Sequence, residues 1–147
     1  MSYFLIHEDF LQLIKADQLE VVISREPAIL NRAILTAIAE MESYLRARYD
    51  VTTIFATQGE ERNTLLITYG VDIALYHLHA RINPKNISQI RYDRYKEAKL
   101  WLEMVSEGKL SPNLPAAETG GEVSVGMNWG SSPKHRGERA YKGRNSR

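Results

Sequence analysis

The chain contains no cysteine. Disulfides, thiolate-bound zinc, iron–sulfur clusters and thiol nucleophiles are excluded together. Histidine is scarce, with His7, His77, His79 and His135 spread through the chain. No apolar run approaches the ~20 residues of a transmembrane helix, so no membrane partner is expected. The start, MSYFLIHEDFLQL, carries Glu8 and Asp9 where a secretory signal carries basic residues. Synthesis and use in the cytoplasm, or in a particle assembled there, is the expectation. Neither charge sign prevails, with 19 Lys and Arg against 18 Asp and Glu. A uniformly basic nucleic-acid binder is therefore excluded. There is no phosphate-binding P-loop, no dinucleotide glycine fingerprint and no G-x-S-x-G elbow.

What is present is 147 residues with 44% apolar and 25% charged side chains. That is one domain with room for an extension, and enough chain to bury a core. The near-zero net charge hides an asymmetry. Residues 1–120 hold thirteen basic and sixteen acidic side chains, whereas residues 121–147 hold six basic and two acidic. Composition changes nearby. Up to about residue 110 the chain is rich in Leu, Ile, Ala and Tyr; after it come Pro112, Pro115, Gly120, Gly121, Gly126, Gly130, Pro133, Gly137 and Gly143. The second part has too few apolar residues to offset the entropy of ordering its own backbone. The expected organisation is a folded domain at 1–110 and an extended basic C-terminal arm at 111–147.

Periodicity within 1–110 predicts helices. Residues 8–15 give a short amphipathic helix with acids in its first turn. LEVVIS at 19–24 is β-branched and reads as a strand or an extended link. Ser24 is a candidate N-cap, with Pro27 in the first turn. From Pro27 to about Tyr49, Leu30, Ala33, Ile34, Ala37, Ile38, Met41 and Leu45 step by three and four; Ala33, Ala37 and Ala39 suggest a close helix neighbour. Residues 52–63 read as a loop. A helix from about Asn63 to Arg81 carries a stripe through Leu66, Tyr69, Ile73, Tyr76, His77 and Ala80. Gly70 in it either costs about 1 kcal/mol or permits close approach. The last helix runs from about Ile87 to Glu107, with Ile87, Ile90, Arg91, Arg94, Tyr95, Ala98, Trp101, Leu102 and Val105 inward and Gly108 as its stop. Three long helices and a short one make an all-α bundle.

Catalytic and metal constellations are weak. His77 and His79 are two apart, so on a helix their side chains diverge by about 200° and do not share a metal. His77 is expected beside the core and His79 exposed. Glu60-Glu61 reads as a solvated approach to a helix, and Glu40 and Glu42 diverge. Catalytic residues, metal and cofactor are all expected to be absent.

The arm carries the more informative pattern. Val123, Val125, Met127 and Trp129 alternate with Glu122, Ser124, Gly126 and Asn128, which is an extended strand with one apolar edge. Such a strand adds to a sheet or groove on another subunit, folds back on its own domain, or stays disordered in the isolated protein. Trp129 is the candidate anchor. Beyond it Arg136, Arg139, Lys142 and Arg144 form a candidate charged clamp, for acids on a protein neighbour or for phosphates.

Several segments together resemble a known group. They are FLIHEDFLQLI, AILTAIAEMESYLRARYD, VDIALYHLHAR and RYDRYKEAKLWLEMVSEGKLSP, in that order across about residues 2–112. This combination resembles the small helical head–tail connector (adaptor) proteins of tailed bacteriophages, the group that includes the phage Mu Gp36-like proteins. The resemblance implies a structural virion protein at the head–tail junction, assembled in the host cytoplasm. It implies a homo-oligomeric ring, usually of twelve copies, between the portal protein and a tail or stopper protein. Genomic DNA would pass through its lumen without sequence-specific contact, and the C-terminal arm would tether the ring to the portal or a neighbouring subunit. The alternative is a small nucleic-acid-binding protein using its basic arm.

Overall fold

The most apolar helix takes the middle of the bundle. In a computed structural model that describes residues 3–118, six α-helices and one 3-10 turn follow one another. They are α1 (His7–Phe10), α2 (Ala16–Val22), α3 (Pro27–Leu45), α4 (Val51–Ala56), the turn Gly59–Glu61, α5 (Thr64–Ile82) and α6 (Gln89–Ser106). The protein is all-α, with α3, α5 and α6 as its long members. Leu66, Gly70, Val71, Ile73, Ala74, Leu75 and Leu78 of α5 are buried around most of its circumference. A helix apolar on nearly every side has to be enclosed. Here α3 and α6 pack on it and on each other, while α1 and α2 also touch it.

The outer helices are amphipathic. Helix α3 buries Leu30, Ala33, Ile34, Ala37, Met41 and Leu45 of the stripe read from the sequence, with Ile38 partly buried, whereas Ala39 faces solvent. Helix α6 buries Ala98, Leu102 and Val105. Ile90, expected inside, is 65% exposed in the first turn of α6. At Gly70 a Cβ would stand 2.9 Å from Met41 Cε and 3.0 Å from Leu5 Cδ1. Of the two readings of that glycine, the structure takes close approach.

Local signals fix the helix ends. Asn63 accepts from Leu66 N at 3.0 Å and Ser88 from Arg91 N at 3.3 Å, capping α5 and α6. Gly108 ends α6 with φ 83, and Lys109 N donates to Met104 O at 2.8 Å. Pro27 opens α3 as expected, but its N-cap is Glu26. Ser24 does not cap, since it and Arg25 have φ of 55 and 57 and reverse the chain between α2 and α3.

Two segments differ from the expectations. LEVVIS is mostly helix α2, with neither a strand nor an extended link: Leu19, Val22 and Ile23 are buried and Val21 is exposed, which is a helical face. Its β-branched residues were a weak propensity signal that packing overrides. Residues 52–63 are not simply a loop. Asp50 accepts from Thr53 N at 3.2 Å and Thr53 Oγ1 at 2.6 Å and so starts α4, which buries Val51 and Ile54.

Phe4 and Leu5 are fully buried although they belong to no helix. At the other end the chain stays on the body beyond α6. Leu110 and Leu114 pack on the core, Asp50 N donates to Pro115 O at 2.9 Å, and Ala117 N donates to Arg48 O at 3.0 Å.

Candidate functional site

Glu40 is the polar junction of the three long helices. It projects from α3 toward α5 and α6. His77 Nε2 of α5 donates to Oε1 at 3.0 Å, and Tyr95 OH and Lys99 Nζ of α6 reach Oε2, each at 3.1 Å. Tyr95 stacks on Tyr76 with centroids 4.0 Å apart. The His77 hydrogen bond, opposed by burial and reinforced by Lys99, lowers the Glu40 carboxyl from 4.5 to about 2. Burial disfavours the Lys99 ammonium, but its bonds to Glu40 and Tyr95 prevail and raise its pKa. With both oxygens occupied by donors, Glu40 is a structural anion and not a free base. Glu42, two residues on, pairs with Arg46 at 3.6 Å on the outer face.

This lowered pKa predicts a pH dependence. The folded value lies below the ordinary one, so the stabilisation is complete above about pH 4.5 and fades as pH falls toward 2. Glu40→Gln should cost ~1–2 kcal/mol at pH 7 once solvent screening is allowed for. The difference from wild type should shrink at pH 3. Urea unfolding at both pH values checks this, and an equal cost at both would assign the loss to packing.

Two further ties hold the bundle. Asp72, on α5 and 3% exposed, accepts through Oδ1 from Arg94 Nε at 3.1 Å and Arg91 Nη1 at 3.4 Å. Burial pushes its carboxyl up, and the two arginines act against that. Arg62 fixes the N-terminal segment. Its Nη1 donates to Phe4 O and Asp9 Oδ2, both at 2.7 Å, its Nη2 to Asp9 Oδ1 at 3.2 Å, and its Nε to Gly59 O at 2.8 Å. Neither Asp72 nor Arg62 stood out in the sequence. A signal existed for Asp72: it is the one acid in TLLITYGVDIALYHLHARI, and Arg91 and Arg94 lie three apart on the facing helix.

His77 lies half-buried beside the core, as expected. His79, expected to be exposed, is half-buried, with Nδ1 2.8 Å from Leu75 O of its own helix. The two rings have different partners. Among the described residues no group of three or more His, Asp or Glu side chains could hold a metal ion.

Among the open grooves of the surface, two adjoin the Glu40 junction. One, of about 330 Å³, lies between the first half of α3 and the second half of α5. Ala28, Ile29, Ala33 and Leu78 give it apolar walls, and Arg32, Arg81, Thr36 and His77 give it polar ones. The other, of about 600 Å³, runs along α3 and α6 past Tyr44, Tyr95, Lys96, Lys99 and Leu100. Val123, Val125, Met127, Trp129, Arg136, Arg139, Lys142 and Arg144, the contact residues expected from the sequence, lie outside the described residues.

A family model described as Bacteriophage Mu, Gp36 matches residues 4–128. The chain belongs to this phage family. No curated protein matches it. The Gp36 match takes in nearly the whole described bundle, including Asp9, Glu40, Arg62, Asp72, His77 and Arg81. It passes residue 112, where the resemblance read from the sequence stopped, and includes Val123, Val125 and Met127. It ends one residue before Trp129 and leaves out the four cations of the expected clamp. No helix among the described residues of this Gp36-family chain is long and apolar enough to cross a membrane.

Proposed function

We propose that this Gp36-family protein is a structural component of the phage virion, a head–tail connector without a reaction of its own. In this reading it forms a homo-oligomeric ring, of about twelve copies by the family resemblance, between the portal and a tail or stopper protein. The ring extends the channel through which DNA passes. The observation that carries the reading is the family match over residues 4–128. The bundle supports it physically. Its three long helices are cross-tied by Glu40 and Asp72, which makes a rigid unit suited to repetition around an axis. The C-terminal arm is the tether: Val123, Val125, Met127 and Trp129 form the inserted edge, and Arg136, Arg139, Lys142 and Arg144 the clamp. Weak contacts repeated around a ring add through avidity.

The test is removal of residues 119–147. The cut falls after Glu118 because residues 110–117 are bonded to the body. The shortened protein should fold with an unchanged helical circular-dichroism spectrum and fail to join portal-containing particles. Normal particle assembly without those residues overturns the tether. The arm's excess of basic residues supports a second reading, nucleic-acid binding. It would show as affinity for DNA that falls steeply with salt and is lost with the arm.

A further inference from the structure

Most arginines of the described body have an acceptor. Arg46, Arg62, Arg91 and Arg94 pair with carboxylates, and Arg48 Nε donates to Ser106 O at 3.0 Å. Arg32 and Arg81 are exposed and form no ion pair among the described residues, yet both line the same groove between α3 and α5. Ile29 and Leu78 give that groove apolar walls. Two cations over an apolar floor suit a carboxylate-bearing segment with an apolar side chain beside it.

The chain presents such a segment. Glu60 and Glu61 in the turn before α5 are exposed and have no ion pair among the described residues. Leu65, four residues after Glu61, is 45% exposed. The turn is held in place because Arg62 Nε donates to Gly59 O at 2.8 Å while its guanidinium grips Asp9. Acidic turn and basic groove stand at opposite ends of α5, separated by roughly 27 Å of helix at 1.5 Å per residue. They cannot meet within one body, and can meet only between two.

We propose that the Arg32–Arg81 groove binds the Glu60-Glu61 turn of a second copy of this chain. The contact uses two different surfaces, so it is heterologous, the kind of interface that closes into rings when its rotation permits. It rests on the ring reading and names the surfaces that would form the ring. The rigid turn lowers the ordering cost of association.

Sedimentation of full-length protein at low and high salt tests it with two double variants, Arg32→Glu/Arg81→Glu and Glu60→Arg/Glu61→Arg. All four positions are exposed, so circular dichroism should match wild type. Each variant alone should self-associate at least about tenfold more weakly, because attractive pairs become repulsive ones. An equimolar mixture of the two should recover association through the swapped charges. Oligomers of wild-type strength in both variants overturn this contact and leave the ring reading standing. Loss of portal binding in the groove variant, with self-association intact, assigns the groove to another partner and also overturns it. A wild-type chain that stays monomeric at every concentration, alone and with its portal, overturns the ring reading and this contact together.

Discussion

Asp72→Ala should lower the unfolding free energy by ~3–5 kcal/mol, the usual cost of leaving a buried charge without its partner. Arg91 is the reason. Its side chain is 12% exposed, and burial already lowers its pKa. Without the carboxylate its charge has to reach water or stay buried and unpaired, since a guanidinium keeps its proton. Arg94 is 39% exposed at its side chain and can turn outward, so it contributes less. A domain of this size has only ~5–15 kcal/mol of stability to lose. The companion variant Asp72→Leu/Arg91→Met removes both charges and should recover most of the loss, since replacing a buried pair by apolar groups is often neutral. Denaturant midpoints of the two variants decide the matter. A cost below about 1 kcal/mol for Asp72→Ala would show that Arg91 reaches solvent.

Arg62→Ala should cost a similar ~3 kcal/mol and act in one place. The Arg62–Asp9 pair is only 10% exposed on either side and carries two parallel bonds, and Arg62 also satisfies Phe4 O. Losing it frees the segment that inserts Phe4 and Leu5 into the core. Amide exchange of residues 4–10 should quicken, while α5 and α6 stay protected until global unfolding. Arg62→Lys should restore less than half, because an ammonium cannot span both carboxylate oxygens. Unchanged exchange at residues 4–10 would show that apolar burial alone, including the edge contact of Phe4 with Phe55 at 5.0 Å, holds the segment.

The face of α3, the stop at Gly108 and the start at Pro27 were visible because each depends on neighbours within a turn or two of helix. LEVVIS misled because its β-branched residues have a weak preference for extended backbone, and Leu19, Val22 and Ile23 meet the core on a helical face instead. Residues 52–63 look like a loop in sequence because α4 is only six residues long and its cap, Asp50 on Thr53, follows directly on the end of α3. The arm's pattern at 122–129 was legible as alternation, and its candidate contact residues lie outside the described part.

The helical class, the long amphipathic segments and the phage-family resemblance follow from residue order alone, since all three are written in short-range spacing. It takes the packed helices to bring Asp72 to Arg91 and Arg94, Arg62 back to Asp9, and Arg32 and Arg81 into one groove without a carboxylate between them. Those pairings join residues up to 53 positions apart. Charges are placed by how helices pack, and one-dimensional periodicity carries no information about which side chain a distant helix will bring beside them.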